Sequence, residues 1–259
     1  MVTRTEDMDS QSSPRIRLGR LLPGYTDVGD GANSPVRGIA ATIDGEITVI
    51  AKRISGREIA VEAICAALGR EVGLPIPEPL LLLDESEAWF FGSADLGHPS
   101  LAQFVKITDS AVIDELGQWP KLLAAACFDE WIANPDRHNG NLLYDGNGFF
   151  LIDHGLSIPS GMHATDSSDD FYVNRLLEIV IEAMQGNDIL KQRAVNNARA
   201  WVHECSQGKT ESAGASIPEG FHPNTPELME SFLRDRILYL GNILHDKIKP
   251  EQGRLKLDD

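Results

Sequence analysis

The apolar residues change period near Leu101, and that change limits the folds open to this chain. Before it, short runs of β character alternate with turn signals. Ala40–Ile43 and Ile47–Ile54 flank Asp44-Gly45, a dipeptide suited to two-residue hairpins, so they read as antiparallel strands. Arg57–Val72 is rich in helix formers and stops at Gly73, where Pro75, Pro77 and Pro79 forbid continuation. Leu80–Leu83 and Trp89–Phe91, separated by the acidic turn at 84–87, read as a second strand pair. After Leu101 the pattern turns helical. Trp119–Asn134 is an Ala- and Leu-rich helix fit for the middle of a core, and Pro135 ends it. The short strands Asn141–Tyr144 and Phe149–Ile152 flank the strong turn Asp145-Gly146-Asn147-Gly148. Further helices are expected over Asp170–Met184, Ile189–Cys205 and Pro226–Asp246, with the polar stretch Ser206–Asn224 as a mobile loop. The expectation is an α+β chain: a disordered tail over 1–14, a small β-rich unit over 15–97, a larger helical unit over 98–250 and a second tail over 251–259.

Within this layout a few polar residues stand where apolar ones are expected. Period-two alternation puts Lys52 on the strand face of Ile50 and Ile54, where an ammonium either snorkels at a sheet edge or needs a partner. Glu62 is the only charged residue from Ile59 to Gly69, and a buried carboxylate without a countercharge costs several kcal/mol. An ion pair between Lys52 and Glu62 satisfies both, provided Glu62 does not face solvent on a wide alanine surface. The densest polar cluster, Asn134-Pro135-Asp136-Arg137-His138-Asn139-Gly140-Asn141, lies between the buried helix and the apolar hairpin. Asp136 and Asn141 could present a carboxylate and an amide oxygen to one space, the first to orient or deprotonate a hydroxyl, the second as a hard ligand for Mg²⁺. Taken alone, the cluster reads equally well as an Asx-rich turn. Asp153 ends a buried strand, with Gly155 two residues on, and the tight turn brings it to the same hairpin end as Asn141. The competing reading, an Asp that caps a following turn, explains one residue and not the set.

This ordered set resembles a protein-kinase-like fold. Asp136-Arg137-His138 followed by Asn141, then Ile152-Asp153-His154-Gly155, resembles the HipA-like kinases and, more distantly, the phosphatidylinositol 3/4-kinases. The likeness runs from about Leu18 to about Leu244 and is specific over 128–156. It implies a bilobal enzyme with ATP in the cleft, Lys52 on the α- and β-phosphates, Glu62 bracing that lysine, Asp136 positioning an acceptor hydroxyl, and Asn141 and Asp153 holding Mg²⁺. His138 either helps the transferring proton or phosphoryl or only props the loop. By the same likeness Gly92, Ser93, Ala94, Asp95 and Leu96 supply the adenine-binding hinge, and Ile50 packs over the base. Gly29–Ser34 is the one candidate phosphate-covering loop, with Ser34 a site of autophosphorylation.

The resemblance is incomplete. Arg137 follows the catalytic Asp where eukaryotic protein kinases place Arg before it, and His154 replaces the Phe whose swing regulates them. A Gly-x-Gly-x-x-Gly run before Lys52 is missing. The likeness implies a Ser/Thr hydroxyl of a protein as acceptor, such as an aminoacyl-tRNA synthetase or another translation factor, and a toxin role beside an antitoxin. The alternatives are a lipid or small-molecule kinase and a nucleotide-binding regulator without transfer activity. A net charge of −16 argues against nucleic acid or an anionic membrane as partner. With no secretory pattern or spanning run, the expected location is cytoplasmic. Cys65, Cys127 and Cys205 lie far apart in helical patterns and read as core thiols.

Overall fold

A computed structural model describes residues 16–29, 34–106, 110–206, 208–218 and 225–250. The two expected tails, and residues 30–33 of the candidate phosphate loop, lie outside the described residues.

The first part is a sheet that curls on itself. Its strands are β1 (Arg17–Leu21), β2 (Thr26–Asp27), β3 (Val36–Thr42), β4 (Gly45–Lys52), β5 (Pro79–Leu83) and β6 (Trp89–Ala94), in the order β1-β5-β6-β4-β3-β2. Strand β1 runs parallel to β5 and also pairs antiparallel with β3, which makes the sheet barrel-like. Gly19 permits that closure, because a Cβ there would lie 2.8 Å from the Ala41 carbonyl oxygen. Leu21, Ala40, Val49, Ala51, Leu80, Leu82 and Phe90 fill the interior. Leu81 and Phe91, on the opposite face of β5 and β6, pack into the main core with α1 (Gly56–Glu71), so the unbroken leucines of β5 serve two cores.

Helix α1 starts at a full capping box, Ser55 with Glu58, and ends before Gly73, whose φ is +77°. Every residue from Ile59 to Gly69 is buried. That all-round burial follows from its neighbours: β5 and β6 on one side, and α7 (Lys209–Ala215) and α8 (Thr225–Ile248) on another. Helix α7 falls inside the stretch expected to be a loop.

The helical part also contains α2 (Leu101–Lys106), α3 (Ser110–Gln118), α4 (Leu122–Trp131), α5 (Arg175–Ala183) and α6 (Asp188–Cys205). Helix α4 packs against α5, α6 and α8 and is shorter than its apolar run, since Pro120 delays its start and Ala133, at φ +50°, ends it. Strands β7 (Leu142–Tyr144) and β8 (Phe149–Leu151) form the expected hairpin, whose turn Asp145 braces by accepting the Asn147 and Gly148 N–H groups at 2.8 Å each. One continuous apolar cluster joins α1 to α4, α6 and α8, so the mixed α+β chain has its main core around α1 and α4. Among the described residues, no helix is long and apolar enough to cross a membrane.

Candidate active site

The end of α4 organises the polar loop that follows it. Asp129 is buried and meets Arg137 in a bidentate pair, Nε to Oδ2 and Nη2 to Oδ1 at 2.9 Å each. The remaining nitrogen, Nη1, donates to the carbonyls of Asn141 (2.9 Å) and Ile152 (2.7 Å), tying the loop to both strands of the hairpin. Asn134 accepts from the Asp136 N–H at 3.0 Å and donates to Asp129 at 3.2 Å. Asn141 turns its amide nitrogen toward Asp136, donating to its carbonyl at 2.8 Å and lying 3.5 Å from Oδ2. Its Oδ1 is thereby the end left for a ligand. His138 Nδ1 accepts from the Gly140 N–H at 2.9 Å, which leaves Nε2 facing Asp136 Oδ2 at 3.8 Å.

Three charged groups, two from the adjacent β4 and α1 and one from beyond β8, meet beside this loop. Lys52 Nζ lies 2.7 Å from Asp153 Oδ2 and 3.8 Å from Glu62 Oε1. Glu62 is buried, and its firmest partner is the backbone N–H of His154 at 2.8 Å. The inferred pairing of Lys52 with Glu62 is therefore present as the longer arm of a shared lysine. The buried His154 ring packs edge-on against Phe128, with Nδ1 3.5 Å from Glu62. Burial first, and the nearby Arg137 charge second, push its imidazole down to about 3, so it is neutral at physiological pH. Asp153 stands at φ +61°, in the left-handed region that Asp tolerates better than most residues. Gly155 lies against α1, where a Cβ would meet Glu62 Cγ at 3.4 Å, an ordinary contact. Arg57 of α1 donates to the Ile158 carbonyl just beyond.

The structure thus brings Lys52, Glu62 and Asp153 together, and Asp136, His138 and Asn141 together. The two groups share the β7–β8 hairpin end, where the Ile152 N–H donates to the Asn141 carbonyl at 3.2 Å. Ile50 sits two residues before Lys52 on β4, on the face away from the barrel interior lined by Val49 and Ala51. Gly92, Ser93 and Ala94 lie within β6, a strand paired on both edges. The N–H groups of Ala94 and Asp95 are taken by the carbonyls of Glu78 (2.8 Å) and Thr48 (2.9 Å). Of the five residues expected to form an adenine-binding hinge, four thus lie within the sheet or bond back to it, and Leu96 follows them. Asp95 also accepts from Arg37 at 2.7 Å. Ser34 is exposed, at φ +42°, in the connection between β2 and β3.

Sequence reasoning missed Asp129, the loop-organising role of Arg137, and the contact of His154 with Glu62. A signal existed for the first: Asp129 and Glu130 are the only charges from Leu122 to Ala133, the same pattern that singled out Glu62. Among the described residues there is no cluster of three or more His, Cys, Asp or Glu able to hold a metal. A divalent ion here would rest on Asn141 and Asp153 and take its other ligands from phosphate and water.

The HipA-like kinase family profile matches residues 40–231. The chain belongs to that family. A solved structure of similar fold is a proinflammatory kinase, CtkA, from Helicobacter pylori, with a TM-score of 0.53 at 13% identity, covering 89% of this chain and 96% of that one. Another is the N-terminal 618-residue fragment of LepB from Legionella pneumophila, with a TM-score of 0.50 at 13% identity, covering 88% of this chain and 47% of that one. No curated protein matches. At such identities the structures speak to the fold alone.

Proposed function

We propose that this member of a kinase family transfers the γ-phosphate of MgATP to a Ser or Thr hydroxyl of a protein. The observation that carries the reading is the shared lysine: Lys52 reaches Asp153 at 2.7 Å and Glu62 at 3.8 Å, beside a loop in which Asn141 bonds Asp136. These residues fit the nucleotide and its metal. Asn141 Oδ1 and the Asp153 carboxylate are hard oxygen donors at one hairpin end, and Lys52 is a cation on the adjoining strand. Bound Mg²⁺ neutralises charge on the transferring phosphoryl group. Lys52 orients the α- and β-phosphates while Glu62 limits its reach. Asp136 accepts the acceptor's hydroxyl hydrogen at Oδ and aligns the oxygen for attack. His138, its Nδ1 accepting from the Gly140 N–H, turns Nε2 toward Asp136 at 3.8 Å, where it either helps the transferring proton or phosphoryl or props the loop. Ile50 and the backbone from Leu96 line the base.

On this reading the site lies in a cleft between an N-lobe of 15–97 and a C-lobe of 98–250 in a cytoplasmic protein. The favoured acceptors are translation components such as an aminoacyl-tRNA synthetase, with an antitoxin as partner and Ser34 as the autophosphorylation site. Labelling a cell lysate with a thiophosphate-bearing ATP analogue, with lipid vesicles in parallel, tests it. The expected result is label on protein Ser or Thr that disappears with Asp153→Ala. Label on lipid alone, or MgATP binding with no transfer to any acceptor, overturns it, and unmodified Ser34 in active enzyme removes that assignment.

A further inference from the structure

The segment that leaves Asp153, residues 154–174, carries no regular structure beyond a 3-10 turn at Ser168–Asp170, yet buried charges hold it. Their centre is Arg236 on α8, which is wholly buried. Its Nε donates to the backbone carbonyl of Glu130 at 2.9 Å, and Nη2 donates to Glu130 Oε1 at 3.3 Å. Nη1 donates to the carbonyls of Asp166 (2.8 Å) and Ala164 (3.2 Å), and the guanidinium lies 5.7 Å from the Phe232 ring centroid. The other oxygen of Glu130 accepts from Ser168 Oγ at 3.0 Å and from Asn174 Nδ2 at 3.2 Å. Arg236 and Glu130 therefore grip the segment at 164, 166, 168 and 174.

The gripped segment lies against the catalytic loop. Met162 and Tyr172 pack on Ala133, three residues before Asp136, and the Ile158 N–H donates to the Ile132 carbonyl at 2.9 Å. Consecutive acids at the end of α4 thus divide the work: Asp129 holds the Asp136 loop through Arg137, and Glu130 holds the facing segment through Arg236. Both arginines have all three nitrogens on protein oxygens, so neither is open to a phosphate group. A planar fork bridging two carbonyls and a carboxylate is a geometry that the point charge of lysine does not reproduce.

We propose that Arg236 is a positioning residue: through Glu130 it sets segment 158–174 against the loop of Asp136, so that this side of the site is ordered with no phosphate on the segment. The proposal rests on the kinase reading for its catalytic part and on geometry alone for the clamp.

The test uses the full chain, phosphatase-treated, as wild type, Arg236→Lys and Arg236→Met with Glu130→Gln. The readouts are amide hydrogen exchange over 158–174, the KM for MgATP, and kcat for MgATP hydrolysis with water as acceptor. Circular dichroism checks that each variant is folded, and Arg236→Lys keeps the buried charge if the double variant does not fold. In Arg236→Lys, exchange across the segment is expected to rise by roughly tenfold or more. Its kcat is expected to fall by up to about 100-fold through misplacement of the loop, while the KM for MgATP changes far less, because Lys52 on β4 and its partner Glu62 on α1 lie outside both the segment and the Asp136 loop. Unchanged exchange overturns the clamp, as does a segment in dephosphorylated wild type that exchanges as fast as the variant. A KM that rises in step with the loss of kcat overturns the positioning role. Wild type that neither binds nor hydrolyses MgATP overturns the kinase reading, and the exchange result then decides the clamp by itself.

Discussion

Asp153 combines a left-handed backbone with a carboxylate 2.7 Å from Lys52, and the two properties can be separated by substitution. Asn tolerates the same φ but lacks the charge, so Asp153→Asn should keep the wild-type melting temperature while losing MgATP turnover. Asp153→Ala and Asp136→Ala should each lower turnover by roughly 10² to 10⁴-fold in single-turnover assays, consistent with loss of a charge that orients metal or hydroxyl. Arg137 has a different role. Removing it strands Asp129 as a buried carboxylate, so Arg137→Met should cost roughly 3–5 kcal/mol in urea unfolding, and adding Asp129→Leu should recover much of that loss. At this scale the sequence was legible where a polar residue interrupts an apolar pattern, as at Lys52, Glu62 and Asp153. The burial of Arg137 and Arg236 escaped notice because arginine in a polar loop or on a long helix carries no local sign of it. The Arg236 partner, Glu130, lies 106 residues away.

Helix α1 shows how far punctuation reads through to structure. Its stop at Gly73 and the lone acid of its Ile59–Gly69 stretch were read in one dimension, whereas the capping box of Ser55 and Glu58 was not. Its all-round burial was visible as a lack of polar residues, but its second set of neighbours was not, because α7 lies in a stretch whose composition resembles a loop. Strand β1 was missed for a different reason: in Arg17-Leu18-Gly19-Arg20-Leu21 the apolar residues do not alternate, Leu18 facing out and Leu21 in, so only pairing to β3 and β5 defines it. Gly69 gives a test of the packing around α1. A Cβ there would lie 2.2 Å from Ile76 Cδ1 and 3.0 Å from Phe128 Cζ. Ala is the better helix former by about 1 kcal/mol, whereas overpacking costs roughly 1–3 kcal/mol. Gly69→Ala should therefore lower stability, measured as a fall in the urea midpoint, and a rise would mean that α1 packs more loosely than the distances state.

For the molecule as a whole, the change of period near Leu101 was enough to place strands before helices, and it was silent on the continuous core that joins them through α1. That core holds the three thiols, and the Tyr172 phenol is buried in a smaller cluster with Ala133 and Met162. Burial, the largest cause at each, pushes Cys65, Cys127 and Tyr172 upward and Cys205 up to about 12. Above the ordinary thiol value of 9.0 the unfolded chain releases protons that the folded chain retains, so stability is lost as pH rises. Urea midpoints should hold steady approaching that pH and then fall, and replacing the three cysteines by alanine should flatten the fall. A last consequence follows from the far-flung contact of Ile16, whose N–H donates to the carbonyl of Ser216. Ile16, just before β1, reaches this partner only after about two hundred further residues have been made. Final docking of the chain just before β1 must then await the making of α7, and contacts of such long range slow refolding from denaturant.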